Sequence, residues 1–271
     1  MRVVTPSRRL CAAVVSLAAL LTACTADADD APSTLAEKAA KDRKLTIAVQ
    51  PDRPGLAQRQ KGSTYAGFEI DIATRVANKL GVPSSGITFI PATSADREQL
   101  LTRGKADLVI AGFAIGANRN VIFTGAYFTA NQGILVNAKE RELTDPGDLK
   151  GRRFCTVGQA PIMANALPGA TRVKTDNDSE CLVALLNRKL DAVLGHNAEL
   201  AGYSLQNLGK MRLLNARLSP TDYGIALRRN EATTATTITA ILKEMIADGS
   251  WARSLARHLP QLTAQRPPSL P

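Results

Sequence analysis

The sequence predicts an α/β protein built from two similar halves. Strand and helix signals alternate along most of the chain, which is the pattern of an α/β fold. Residues 100–110 resemble residues 185–194, because both stretches read as a helix end, a basic turn, an aspartate and a buried strand. Composition agrees: 271 residues with 45% hydrophobic and 21% charged residues lie near the globular average and suffice for a substantial core.

The predicted elements follow in chain order. Residues 45–49 form a first buried strand, and residues 67–80 form a helix because their apolar side chains recur with helical spacing until Gly81 and Pro83. The remaining predicted strands are residues 87–90, 108–111, 134–136 and 154–157. The remaining predicted helices are residues 96–102, 179–187, 197–206, 234–248 and 251–258.

Composition and motifs exclude several classes of function. The formal net charge is +10, but Lys and Arg are spread along the chain and aromatic residues make up 4%, so we expect no nucleic-acid groove and an aliphatic core. Two histidines, His196 and His258, leave little room for a histidine-built metal site. The sequence has no glycine-rich phosphate loop and no Gly-x-Ser-x-Gly elbow, and we expect no cofactor.

The N-terminal 23 residues are predicted to be a signal peptide. Three arginines precede an apolar run over residues 10–21, which is too short to cross a bilayer. The run ends in Leu-Thr-Ala-Cys, which resembles the bacterial lipobox and implies lipidation of Cys24. An ordinary cleavage site that happens to precede a cysteine is the alternative. Residues 24–43 are then expected to be a polar tether on the outer face of the cytoplasmic membrane.

Two cysteines remain for the exported domain. Cys11 leaves with the signal peptide and Cys24 takes the lipid, so Cys155 and Cys181 stay in an oxidising setting. A disulfide between these two is the economical interpretation. Two separately buried thiols are the alternative.

Several ordered motifs resemble one known family. Residues 67–72 (Gly-Phe-Glu-Ile-Asp-Ile), 106–113, 223–226 and 243–251 are similar to the extracytoplasmic solute-binding proteins of family 3, the polar amino-acid receptors of ABC importers. The similarity covers roughly residues 44–260. The cysteine pair and the Ala-Asn-Gln run at 130–132 look most like glutamate, aspartate or glutamine receptors of high-GC Gram-positive bacteria.

The resemblance implies a two-lobe periplasmic-binding-protein fold of type II, with the lobes joined by two crossover strands. Lobe 1 is expected over residues 44–129 plus 225–271, and lobe 2 over residues 130–224. The ligand is then a small amino-acid-like solute held between the lobes, and the partner is an ABC permease in the membrane. We expect a monomer without enzymatic activity.

The same resemblance assigns candidate ligand contacts. Arg119 matches the arginine that grips the ligand α-carboxylate, which suits a planar guanidinium with parallel donors. Gly112 matches a position where the backbone approaches the ligand. Arg97 lies in a loop that supplies a side-chain carboxylate contact in acidic amino-acid receptors, although a solvated helix-surface arginine is the alternative. Gln50 and Arg53 occupy positions that select the ligand side chain.

Three departures from the family pattern affect the second half of the site. Ala114 replaces the usual Ser or Thr, and the pair Ala160-Pro161 replaces two threonines, directly after Gln159, which we also expect to contact the ligand. His196 stands where a carboxylate normally pairs with the ligand ammonium, and a neutral histidine supplies no opposite charge. The sequence therefore predicts binding that depends on a ligand carboxylate more than on its amine.

Two other functions use the same fold. A sensor or adaptor would signal occupancy to a membrane protein instead of delivering solute. A dehydratase would need a general acid in the cleft, and the sequence shows no evident carboxylate there. We therefore expect a receptor of an ABC importer.

Overall fold

Strands and helices alternate through the structure, a computed structural model in which residues 34–116, 120–158 and 167–271 are described. The predicted signal peptide, the predicted lipidation site Cys24, and the candidate contacts Arg119 and Gln159 lie outside these residues. Within the described part, no helix is both long enough and apolar enough to cross a membrane.

The strands agree with the sequence prediction at most positions and extend it at others. They are β1 (Leu45–Val49), β2 (Asp52–Arg53), β3 (Ala57–Arg59), β4 (Tyr65–Ala66), β5 (Ile87–Pro91), β6 (Leu108–Val109), β7 (Val121–Asn137), β8 (Arg153–Thr156), β9 (Thr171–Arg172), β10 (Ala192–His196) and β11 (Met211–Arg228). Eight of them form one sheet in the order β5-β1-β6-β11-β7-β10-β8-β9, and β2, β3 and β4 form a small antiparallel sheet.

Seven α-helices lie in the described part of the chain, and four short 3₁₀ turns accompany them. The helices are α1 (Leu35–Asp42), α2 (Phe68–Lys79), α3 (Arg97–Thr102), α4 (Asp178–Leu186), α5 (Asn197–Gln206), α6 (Ala232–Ala247) and α7 (Ser250–His258). The predicted helices are present with bounds within two residues of the expected ones.

The internal repeat has a structural counterpart in two aspartates. Asp107 precedes β6, and its carboxylate accepts a hydrogen bond of 2.9 Å from the Thr46 N–H on the parallel strand β1. Asp191 precedes β10, and its carboxylate accepts one of 2.7 Å from the Arg153 N–H on the parallel strand β8. Each aspartate therefore ties the start of its own strand to the neighbouring strand in the same way, once in each half of the sheet.

The two longest strands connect the halves of the sheet. β7 has 17 residues and β11 has 18, and they pair antiparallel from Val121–Arg228 to Asn137–Met211. The predicted strand 134–136 is thus the end of a much longer one. The register of the pair shifts between Leu214 and Ala226, near the expected lobe boundaries, which stay a prediction.

The core is mainly aliphatic, as expected, but aromatic side chains pack within it as well. Phe68 and Phe128 pack around Trp251, with ring centroids 5.6 to 6.5 Å apart. The indole Nε1 of Trp251 donates a 2.7 Å hydrogen bond to the Tyr127 carbonyl. This contact fastens the C-terminal helix α7 to β7.

The predicted tether is too long. Thr34 caps α1 by accepting a hydrogen bond from the Glu37 N–H, and the Glu37 carboxylate accepts one from the Thr34 N–H. The Leu35 N–H donates to the buried Glu231 carboxylate at 2.8 Å, so α1 packs against the start of α6. Residues 34–42 therefore belong to the folded body, because this capping box and the buried Leu35 offset the polar composition of the segment.

The predicted disulfide is confirmed. Cys155 on β8 and Cys181 on α4 are bonded, with their Cα atoms 6.0 Å apart. Both residues are buried among the apolar side chains of the second half, including Leu135, Val157 and Val193. The bond therefore connects the second strand from one edge of the sheet to the helix that packs on it.

Candidate functional site

Polar and ionisable side chains, most of them buried, lie together where β1, β6 and β10 end. They come from the segment after β1 together with β2, from the first turn of α2 and the start of α3, from the strands β7, β10 and β11, and from the first two turns of α5. The members are Gln50, Arg53, Glu69, Arg97, Tyr127, Gln132, His196, Glu199, Tyr203 and Tyr223, and we call this set the polar cluster. Such a concentration of buried charge is rare outside functional sites.

Arg97 is the least neutralised cation of the polar cluster. It is the first residue of α3, and its side chain is buried, with 6% of the residue exposed. The guanidinium lies 3.8 Å over the Phe113 ring, and its Nη1 donates to the Ala111 carbonyl at 3.2 Å. No carboxylate of the described residues lies within 4 Å of it, and burial lowers its pKa. Arg97 is therefore not a solvated surface arginine.

Arg53 is held by protein groups on the opposite half of the sheet. Its Nη1 lies 2.7 Å from the Asp178 carboxylate and donates to the Tyr203 hydroxyl at 2.8 Å. The Gln50 side-chain oxygen, with its amide oriented to face the guanidinium, accepts from Arg53 at 2.9 and 3.0 Å. Burial lowers the pKa of Arg53, but the charges of Glu199, Tyr203 and Asp178 outweigh burial and raise it overall.

Glu69 is a buried carboxyl that the sequence analysis did not single out, although it lies inside the motif at 67–72. Its Oε1 accepts from the Tyr127 hydroxyl at 2.5 Å and from the Gly112 N–H at 2.8 Å. Burial raises the pKa of Glu69 to about 7, because it outweighs these two hydrogen bonds. The Gly112 N–H is thus already used within the protein.

Gly112 itself sits where the backbone needs glycine. Its φ is +55°, in the left-handed region, and a Cβ atom there would lie 3.6 Å from the Tyr223 ring. Ala114 pairs with Tyr223 in an isolated bridge, so the loop after β6 lies directly against β11. Both predicted residues therefore border the polar cluster.

His196 is the last residue of β10, and it is neutral at physiological pH. Its Nδ1 lies 2.5 Å from the Tyr223 hydroxyl, and the side chain is buried. Burial and, after it, the charge of Arg53 lower the pKa of His196 to about 4. As predicted from the sequence, this residue supplies no opposite charge for a ligand ammonium.

Glu199 corrects the expectation that the cleft has no carboxylate. It lies in the first turn of α5, three residues after His196, and 9% of it is exposed. Its Oε2 has no hydrogen-bond partner among the described residues, and the nearest cation is Arg53 Nη1 at 3.8 Å. Burial raises the pKa of Glu199. A Cβ atom at Gly158 would lie 2.2 Å from the same oxygen, so glycine makes room for this carboxylate.

Part of the site was therefore predictable from the sequence. The structure gathers Gln50, Arg53, Arg97, Gly112, Ala114 and His196 around one region, whereas Arg119 and Gln159 lie outside the described residues. No sequence motif assigned a ligand contact to the other members of the polar cluster, which are Glu69, Tyr127, Gln132, Glu199, Tyr203 and Tyr223. A usable signal existed for Glu69 and Tyr223, which lie inside the family motifs at 67–72 and 223–226.

The polar cluster is not arranged as a metal centre. Across residues 34–116, 120–158 and 167–271, no three His, Cys, Asp or Glu side chains are placed to hold a metal ion. Asn177 caps α4 by accepting a hydrogen bond from the Glu180 N–H at 3.0 Å.

An α/β sheet with two repeated halves and a buried polar cluster between the ends of its strands is the architecture of a solute receptor. The chain belongs to the bacterial extracellular solute-binding proteins, family 3, whose sequence profile matches residues 45–261.

Two relatives show what such proteins bind. The chain is 31% identical over 254 residues to the glutamate-binding protein GluB of Corynebacterium glutamicum, a match that covers 88% of this chain and 85% of that protein. It is 29% identical over 256 residues to the ABC transporter glutamine-binding protein GlnH of Bacillus subtilis, covering 88% of this chain and 92% of that one.

Solved structures confirm the fold class. The ancestral amino acid-binding protein AncCDT-1, a precursor of cyclohexadienyl dehydratase, superimposes with a TM-score of 0.70 at 23% identity, over 83% of this chain and 99% of that one. The predicted type II periplasmic-binding-protein fold is therefore correct.

Proposed function

We propose that this protein is the substrate receptor of an ABC importer and that it binds a small carboxylate-bearing, amino-acid-like solute. The observation that supports the carboxylate is Arg97. A buried guanidinium with one neutral carbonyl partner and no carboxylate within 4 Å among the described residues has unused donors and uncompensated charge. A ligand carboxylate supplies both the acceptors and the negative charge.

The second arginine of the proposed site is Arg119, assigned by its match to the family motif. Together the two guanidiniums suit a ligand with two anionic or strongly polar ends, such as glutamate, aspartate or glutamine. The named relatives GluB and GlnH bind ligands of this kind, which supports the assignment. Arg53 is a weaker candidate for ligand contact, because Asp178 and Tyr203 already occupy its Nη1.

The receptor is proposed to work at the outer face of the cytoplasmic membrane through a lipid on Cys24. Thr34 caps α1, the first helix of the described residues, and residues 24–33 would connect the lipid to it. The partner is a membrane permease that receives the solute.

A ligand screen tests the proposed function. The exported protein is heated with L-glutamate, L-glutamine, L-aspartate, L-arginine or glutarate, because a ligand that binds the folded state raises the melting temperature. We expect a rise with at least one carboxylate-bearing amino acid and none with an uncharged sugar. Proton NMR of the bound ligand after a day should show it unchanged, since a receptor performs no chemistry. No rise with any amino acid contradicts the proposal.

A further inference from the structure

Two buried oxygen atoms in the polar cluster lack a hydrogen-bond donor. They are Oε2 of Glu199 and Oε1 of Gln132, which have no partner among the described residues. Glu199 is 9% exposed and Gln132 is 3% exposed, so bulk water does not satisfy these atoms. A buried acceptor without a donor costs stability, and such atoms in native proteins call for an explanation.

The two residues lie at the same end of the site. Gln132 on β7 is paired directly with His196 on β10, so the two side chains lie on the same face of the sheet. Glu199 follows His196 by three residues, in the first turn of α5. The charge of Glu199 contributes, after burial, to the raised pKa of Glu69 and of Tyr223, which places the carboxylate within electrostatic reach of the rest of the cluster.

The neighbouring protein groups do not supply the missing donors. Arg53 lies 3.8 Å from Glu199, but its Nη1 donates to Asp178 and Tyr203 at 2.7 and 2.8 Å. His196 uses its Nδ1 with the Tyr223 hydroxyl and stays neutral, so it offers no positive charge. Burial raises the pKa of Glu199, and its position in the first turn of α5 opposes only part of that shift, so a cation is needed to hold the carboxylate charged.

We propose that Glu199 and Gln132 receive the ammonium group of the solute, with Glu199 as its counter-charge. An ammonium carries three donors and one positive charge, which matches a carboxylate oxygen and an amide oxygen that both lack donors. The carboxylate that the sequence lacks at position 196 is thus replaced by one at position 199. This inference rests on the proposed function and adds that the solute is recognised through its amine as well as its carboxylate.

Matched ligand pairs test the role of Glu199. Calorimetry on the exported protein compares L-glutamate with glutarate, and L-glutamine with glutaramate. In each pair, the second ligand has a hydrogen atom where the first has its α-ammonium group. We expect wild type to bind the amino member of a pair at least tenfold more tightly. Glu199→Gln should remove that preference while leaving the affinity for the member without an amine within twofold. Gln132→Leu should reduce the preference in the same direction by a smaller factor.

A buried carboxylate far from the site provides the control. Glu231 is buried beside α1, and Glu231→Gln should leave the preference for the amino member unchanged. If Glu199→Gln lost affinity equally for both members of each pair, the role of Glu199 would be overturned and the proposed function would remain intact. Absence of binding of all four ligands to wild type would overturn the proposed function and this inference together. If Glu199→Gln fails to fold, Gln132→Leu and Glu199→Asp are judged by the same measure, which is the ratio of the affinities for the two members of each pair.

Discussion

The Arg53 guanidinium and the Asp178 carboxylate form a 2.7 Å ion pair between residues 125 positions apart in the chain. Arg53 belongs to the small sheet beside the first half, and Asp178 begins α4 in the second half. Tyr203 on α5 hydrogen-bonds both, donating to Asp178 at 2.9 Å and accepting from Arg53. These three side chains therefore connect the two halves of the sheet at the edge of the polar cluster.

The first prediction concerns this connection. Asp178→Asn should lower the free energy of unfolding by about 1–2 kcal/mol, because it removes the charge from a hydrogen-bonded and partly exposed pair. A double-mutant cycle with Arg53→Met, measured by urea unfolding, isolates the coupling between the two side chains. Asp176→Asn, two residues earlier in an exposed turn, is the control. A coupling energy near zero would show that the pair does not connect the halves energetically.

The second prediction concerns Arg97. Arg97→Met should weaken binding of a carboxylate ligand by about 2–5 kcal/mol, the range for removing one side of a buried charge pair. The free protein should not lose stability, since the guanidinium is buried without a described carboxylate partner and Met fills a similar volume over Phe113. Calorimetry and thermal unfolding measure the two effects. Arg103→Met, at the exposed end of the same helix, should change neither, and equal binding by Arg97→Met would remove Arg97 from the site.

The third prediction concerns Arg119, which the family motif assigns to the α-carboxylate. Arg119→Ala should cost about 2–5 kcal/mol of binding free energy. Arg119→Lys should recover part of this loss, because a point charge does not reproduce two parallel hydrogen bonds. Calorimetry on both variants decides the matter: unchanged affinity in Arg119→Ala would remove the proposed anchor.

The fourth prediction concerns pH. The pKa of Glu69 is raised from 4.5 to about 7, so its contribution to stability is full below pH 4.5 and is lost as the pH rises through 7. The pKa of His196 is lowered from 6.5 to about 4, so its contribution is full above pH 6.5 and is lost as the pH falls through 4. Each shift corresponds to about 3 kcal/mol at one pKa unit per 1.36 kcal/mol. The two residues therefore act in opposite directions between pH 4.5 and 6.5.

Urea unfolding of ligand-free variants at several pH values tests this opposition. Relative to wild type, Glu69→Gln should gain stability as the pH rises from 4.5 to 7. His196→Asn, relative to wild type, should gain stability as the pH falls from 6.5 to 4. Difference curves that stay flat for both variants would show that neither group titrates as its environment indicates.

The fifth prediction concerns the anchor. Cys24→Ser should release the protein from the membrane fraction or leave it with its signal peptide, because the lipid attaches through the thiol. Cys11→Ser, inside the predicted signal peptide, is the matched control and should leave the protein in the membrane fraction. Fractionation followed by immunoblotting gives the result. A Cys24→Ser protein that is processed and still retained in the membrane would contradict the lipobox interpretation.

Local pattern predicted the elements whose apolar residues recur along one stretch of chain. The helix expected over residues 197–206 is α5 with the same bounds, and the strand over residues 45–49 is β1. The strands β2, β3 and β4 have two or three residues each and exist because they pair with one another. No periodicity is readable at that length, so these strands were not predictable from the sequence.

The site was predictable only where a family motif named the residue. A family motif singled out Arg97, but the burial of its side chain over Phe113 depends on the loop that follows β6. That burial was not predictable from the sequence of the helix alone. The buried environment of Glu199 is formed by residues that are distant in the chain. Arg53 lies 146 positions earlier, and the absence of a side chain at Gly158 leaves room for the carboxylate. A carboxylate whose environment comes from three distant segments has no local signature.

The bond between Cys155 and Cys181 closes a covalent ring of chain, 26 positions apart at its ends. A protease that cuts once inside that ring cannot separate the two pieces, since the sulfur bridge still joins them. Such a nicked receptor would migrate as a single band on a non-reducing gel and as two bands after dithiothreitol. Outside the cell, where proteases are common and thiols are scarce, the molecule would thus survive a break in this stretch as one particle.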